Sequence, residues 1–170
     1  EAQLDRFFYK VLVPFPDLDD LVEIVDRTTG NVASSADKAL EFEDLVRMRH
    51  LVREVPVADP VKRYAMRLVL ATHPDSSHAA DTAKRFLRYG ASPRGAQTMI
   101  LGARVKALLD GRVNVSFADV RAVALSALRH RLIRNFEGEA EGVSPDTIVT
   151  RIVEEVPELS REVAREATSA

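Results

Sequence analysis

The sequence predicts a mainly α fold with minor β, on three observations. Apolar residues recur at i, i+3, i+4, i+7 spacing in one segment after another. Cap-forming residues such as Asp17, Ser92, Ser116 and Ser144 stand just before those stripes. Only residues 7–13, Phe-Phe-Tyr-Lys-Val-Leu-Val, form a clear β-branched and aromatic run, closed by Pro14-Phe-Pro16.

That run reads as one strand. A lone strand has no sheet here, so it either pairs with sequence missing from this chain or lies on the helices as an orphan. Asp17 caps a helix with the stripe Leu18, Leu21, Val22, Val25, ending before Gly30. Residues 28–38 are a polar, flexible loop, and residues 41–53 form a helix with Phe42, Leu45, Val46 and Val52 on one face. Asp59-Pro60 opens a third helix carrying Val61, Tyr64, Ala65, Leu68 and Val69. Residues 74–88 read as a polar loop with one helical turn at 82–87.

The helix after Ser92 reaches about Asp110 and is apolar nearly all round, which predicts the most buried position. Ser116 with Asp119 makes a capping-box pattern ahead of Phe117, Val120, Ala124, Ala127 and Leu128. Val55-Pro-Val57 and Val113-Asn-Val115 both run into helix starts and could pair as a minimal two-strand ladder, limited by Pro56. Ser144-Pro145 opens a last helix with Ile148, Val149, Ile152 and Val153, stopped at Pro157, and residues 158–170 read as a charged, fraying tail.

With 170 residues, 46% of them hydrophobic and 29% charged, the chain is long enough for one domain with a proper core. A net charge of −2 gives no sequence-wide basic excess and argues against nucleic acid as a partner. The absence of cysteine excludes disulfides, thiolate zinc sites and a cysteine nucleophile. A cytoplasmic location fits that composition. There is no apolar run near the roughly 20 residues a bilayer span needs, no signal peptide and no initiator Met, so the chain reads as cut from a longer one.

Few residues carry chemistry. His50, His73, His78 and His130 have no metal-ligand spacing, no hydrolytic triad is visible, and no Walker A or Gly-x-Gly-x-x-Gly loop occurs. No metal site is expected. The basic segment Arg129-His-Arg-Leu-Ile-Arg134 follows a helix C-terminus, where cations compensate the dipole. Contact with a phosphate or an acidic neighbour is the alternative. Arg94 is different, because Tyr89-Gly-Ala-Ser-Pro-Arg-Gly95 aims it off the first turn of a helix. A cation there opposes the dipole unless it meets an anion, so Arg94 is either an anion-binding residue or a plain surface arginine.

Glu1-Ala-Gln-Leu-Asp-Arg-Phe-Phe8, Pro14-Phe-Pro-Asp17, Gly90-Ala-Ser-Pro-Arg-Gly95, Val115-Ser-Phe-Ala-Asp-Val-Arg-Ala-Val123 and Leu128-Arg-His-Arg-Leu132 occur in this order. Together they resemble the C-terminal half of the MoxR family of AAA+ ATPases, over residues 1–157. The resemblance implies that Arg6 is the arginine finger, presented in trans to the γ-phosphate bound by the neighbouring subunit. It implies that Arg94 is the sensor 2 residue, which binds the ATP of its own subunit.

By the same resemblance, residues 1–16 are the end of an AAA+ core subdomain, with 7–13 as its last strand. Residues 17–157 are the helical AAA+ lid bundle and 158–170 the tail. Walker A, Walker B and sensor 1 are not in this chain. The implied function is chaperone-like remodelling of partner proteins by a full-length ATPase using ATP and Mg²⁺, assembled with itself into a ring, a hexamer by analogy. The chain alone is expected to hold neither cofactor and to hydrolyse nothing. The competing class is a stand-alone helical interaction or helix-turn-helix module with residues 129–134 as its contact.

Overall fold

The computed structural model describes residues 3–31 and 35–159. In chain order they form α1 (Leu18–Thr29), α2 (Phe42–Glu54), α3 (Asp59–Ala71), α4 (Asp81–Phe86), β1 (Leu87–Tyr89), α5 (Pro93–Leu109), α6 (Phe117–Leu128), β2 (Ile133–Arg134), α7 (Phe136–Ala140) and α8 (Pro145–Glu155). The mainly α class with one short ladder holds. Most of the predicted tail, residues 160–170, lies outside the described residues, as do 32–34 of the predicted loop.

α1, α5, α6, α7 and α8 begin where an N-cap side chain satisfies one of their first free N–H groups. Asp17 Oδ1 accepts from Asp20 N at 2.9 Å, and Ser144 Oγ from Thr147 N at 3.0 Å. Ser116 Oγ accepts from Asp119 N at 3.3 Å while Asp119 Oδ2 accepts from Ser116 N at 2.8 Å, a reciprocal box. Arg112 closes on the same carboxylate through Nη1 at 2.7 Å and Nη2 at 2.5 Å. That hydrogen-bonding guanidinium outweighs the effect of burial and, with Ser116, lowers the Asp119 pKa to about 2.

The core lies between α3, α5, α6 and α8. Tyr64, Leu68, Met99, Ala103, Val120, Ala127, Ile148 and Ile152 are all within 1% of complete burial. Phe117 meets Tyr64 edge-on at 5.5 Å. Burying a side chain such as Leu68 contributes about 1.5–3 kcal/mol. The small residues Gly102, Ala103 and Ala107 let α5 lie close to its neighbours, and α5 packs on α6, α3 and α2. It is central, as its composition predicts, but one face stays open at Val105 and Leu109.

Neither α1 nor α2 buries a single residue. Leu18 is 75% and Phe42 72% exposed, so the stripes read from the sequence exist and the described residues cover them only in part, at Leu21 on α1 and at Val46 and Val52 on α2.

Two expectations about β structure are corrected. Residues 7–13 pair with no strand among the described residues: Leu4–Phe7 closes a turn with Phe7 N on Leu4 O at 3.1 Å, and from Tyr9 to Pro16 the chain has no ladder partner there. Lys10 N donates to Ser126 O at 3.0 Å, so this segment lies across α6 instead of beside a strand. The ladder also forms elsewhere. β1 pairs antiparallel with β2, Leu87 opposite Arg134 and Tyr89 opposite Ile133. Val55–Val57 and Val113–Val115 share one backbone bond, Val115 N to Pro56 O at 3.4 Å, which falls short of a ladder.

Candidate functional site

The start of α5 is fixed by a close approach to the end of α3. A Cβ at Gly90 would stand 2.5 Å from both Thr72 O and Thr72 Oγ1, so only glycine fits there. Thr72 Oγ1 accepts from Ala91 N at 2.9 Å and donates to Val69 O at 2.6 Å, and His73 Nε2 donates to Ala91 O at 2.9 Å. Gly90 therefore serves proximity; among the described residues only Gly111 and Gly142 have positive φ. Ser92 then caps the helix, accepting from Arg94 N at 3.2 Å, with Pro93 at the first helical position.

Arg94 leaves this first turn with its side chain 65% exposed. Its Nη1 donates to Asp5 Oδ2 at 3.0 Å, and Ser92 Oγ donates to Asp5 Oδ1 at 2.7 Å. The structure thus supplies an anion for the cation that the helix dipole disfavours. That anion is a carboxylate from the Leu-Asp-Arg-Phe segment.

Arg131 holds that segment down. Its side chain is 1% exposed. Nη2 donates to Asp5 O at 2.9 Å, Phe7 O at 2.7 Å and Thr98 Oγ1 at 3.3 Å; Nη1 donates to Phe8 O at 3.3 Å and to Ala127 O. Its Nε lies 3.2 Å from Asp5 Oδ1. His130 Nε2 donates to Phe7 O at 3.1 Å. Tyr9 completes the attachment, since a Cβ at Gly102 would overlap its hydroxyl at 1.8 Å.

Burial alone would raise the Asp5 pKa. Hydrogen bonds from Ser92 and Arg94 and the charges of Arg131 and Arg94 overcome it, and the carboxyl sits below its ordinary value. Desolvation lowers the Arg131 pKa, with Asp5 opposing. His130 is also lowered by burial, against its bond to Phe7 O, which favours the charged form.

Arg6 stands between two anchored residues, yet its own side chain is exposed. Its guanidinium lies 5.4 Å from the centre of the Phe7 ring and forms no ion pair with the described residues. The structure brings Arg94 into contact with Asp5, the residue preceding Arg6. A clamp made of Asp5 and Arg131 was not among the residues predicted from sequence. The signal was the basic segment 129–134, whose acidic-neighbour alternative Arg131 realises, while its bond to Ala127 O also satisfies the end of α6. Arg129, 10% exposed, pairs with Asp146 at 3.1 Å, and Arg134 Nη1 donates to Val143 O at 3.1 Å. No group of three or more His, Asp or Glu suited to a metal occurs among the described residues.

Residues 79–152 match the AAA lid domain family. The chain is 33% identical over 156 residues to the Chaperone MoxR1 of Mycobacterium tuberculosis, covering 92% of this chain and 41% of that protein. It is 31% identical to the Protein MoxR of Paracoccus denitrificans, over 86% of this chain and 47% of that one. A crystal structure of a protein from Cytophaga hutchinsonii, described as a candidate ATPase, superposes with a TM-score of 0.82 at 28% identity. That superposition covers 94% of this chain and 48% of the other. The chain therefore spans less than half the length of these relatives.

Proposed function

Because this chain covers the C-terminal lid region of a MoxR-like AAA+ ATPase, we propose that it closes over ATP, senses the γ-phosphate, and turns hydrolysis into movement between subunits of a ring. The observation that carries the reading is Arg94: a largely exposed guanidinium on the first turn of α5, within reach of an anion and held by one carboxylate only. Its planar fork suits phosphate oxygens better than a lysine would. Arg94 is accordingly the sensor 2 residue for ATP in its own subunit. Arg6, on a turn anchored from both sides with its side chain exposed, is the arginine finger for the next subunit's ATP.

The division of the chain follows. Residues 1–16 end the α/β core, 17–157 are the lid and 158–170 a tail, and the open faces of α1 and α2 with Val11–Phe15 are where core and lid meet. A 12-residue amphipathic helix such as α1 is marginal alone in water and gains its stability from a partner face. Mg²⁺ and the phosphate cradle belong to the Walker-bearing part of the full-length protein, so this chain alone is inactive. The work done is chaperone-like remodelling of client proteins, by a hexameric ring in the cytoplasm. Among the described residues no helix is long and apolar enough to cross a membrane. The helix-turn-helix reading is disfavoured because Arg131, central to its basic contact, is buried, Arg129 is partly buried, and both are paired.

Subunit mixing tests the assignment in the full-length ring. Arg6→Ala is expected to lower kcat by about 10³-fold or more while sparing ATP binding, as loss of an arginine finger does elsewhere. Mixing Arg6→Ala protein with a Walker A lysine mutant should restore activity where an intact finger meets an intact site. Arg94→Ala mixed with the same mutant should show little rescue. Equal rescue in both mixtures, with subunit exchange verified, refutes the cis and trans roles.

A further inference from the structure

The Asp5 carboxylate has three partners, and they are not equivalent. Arg131 is buried and committed to the carbonyls of Asp5, Phe7, Phe8 and Ala127, so it cannot leave without costing each of them a hydrogen bond. Ser92 is fixed by its duty as the α5 cap. Arg94 alone is mostly exposed, and it reaches Asp5 through a single donor at 3.0 Å. A single-donor ion pair whose cation is mostly exposed is weak and exchangeable at that end, whereas a phosphate offers the guanidinium a bidentate, doubly charged partner.

We propose that Asp5 is an internal stand-in for phosphate: it holds Arg94 in the nucleotide-free lid and surrenders it when a γ-phosphate arrives, while Arg131 keeps Asp5 neutralised and the Arg6 segment in place. This rests on the reading of Arg94 as the residue that meets phosphate. The exchange is feasible because Asp5 is not left as an unpaired charge; Ser92 Oγ at 2.7 Å and Arg131 Nε at 3.2 Å remain. The same carboxylate belongs to the residue before Arg6. Departure of Arg94 therefore changes the forces on the turn that presents the finger, and one subunit's nucleotide state is passed to the residue that serves its neighbour. Asp5 and Arg131 act through the two arginines and are positioning residues.

The test is a double-mutant cycle in the full-length ATPase, reading affinity for a non-hydrolysable ATP analogue and for ADP. Removing this competing single-donor pair should tighten analogue binding by about two- to fivefold in Asp5→Asn. ADP, which lacks the γ-phosphate, should respond less. In an Arg94→Ala background the gain from Asp5→Asn should vanish, a result that a merely structural role for Asp5 would not give. Unchanged or weaker analogue binding in Asp5→Asn, or an equal gain with and without Arg94, overturns the proposal. Arg94→Ala by itself separates the two readings. If it leaves analogue affinity intact, the sensor role fails; if it weakens affinity while Asp5→Asn changes nothing, only the stand-in fails. Should Asp5→Asn not fold, Asp5→Ser keeps a small polar group opposite Ser92 without the charge and carries the same expectations.

Discussion

α1 and α2 are striped like the helices of residues 55–156, yet among the described residues only the second group has a core. α3, α5, α6 and α8 turn their stripes toward one another and bury Tyr64, Leu68, Met99 and Ile148 completely. α1 and α2 carry stripes of the same period and bury nothing. An apolar stripe thus specifies a helix and the side on which it wants a neighbour, while leaving open which molecule or domain supplies that neighbour.

The sharpest way to break this contrast is truncation on each side. Leu68→Ala is expected to cost about 2–5 kcal/mol in urea unfolding, from lost burial and the cavity left behind. Leu45→Ala on α2 should stay within about 0.5 kcal/mol in the chain alone. Comparable losses would mean that α2 has a buried partner in solution.

Gly102→Ala forces a methyl group into Tyr9 and is expected to cost about 1–3 kcal/mol through overpacking. Hydrogen exchange should locate the damage. The Lys10 amide, bonded to Ser126 O, should lose protection while the amides of α8 keep theirs. Uniform loss across the core would show that residues 5–10 belong to the same cooperative unit.

Asp119→Ala removes one half of the α6 capping box, worth about 1 kcal/mol. Its pH signature is more diagnostic. The carboxyl is lowered from 3.8 to about 2 in the folded chain, so its contribution is present above pH 4 and is lost as pH falls from there toward 2. The acid limb of the stability curve over that window should flatten in the variant. Least of all, Val22→Ser with Val25→Ser on α1 should change stability of the isolated chain by less than about 0.5 kcal/mol. A substantially larger loss in the full-length protein would identify α1 as a face that the remaining sequence covers.

What could be read from the sequence was local. Asp17, Ser92, Ser116 with Asp119, and Ser144 all cap as their positions indicated, because a cap involves residues only two or three apart. The β1–β2 ladder was not legible. Strands of three and two residues carry no periodicity, and their pairing joins segments some forty residues apart in sequence. α7, five residues long behind the Asn135 cap, escaped for the same reason. At the candidate site Arg94 stood out because its conflict with the helix dipole is local. Asp5 and Arg131 did not, since neither has a visible reason for burial until the other is beside it.

The hydrogen bond from Arg131 to Asp5 O spans 126 positions of the chain. Synthesis runs from the N-terminus at about 5–20 residues per second, so Asp5 waits roughly 6–25 s before its clamp has been translated. Through that interval the turn bearing Arg6 has neither Arg131 nor α6 to rest on, and the carbonyls of Asp5, Phe7 and Phe8 are left to water. Docking of residues 5–10 is therefore a late step of folding at the ribosome.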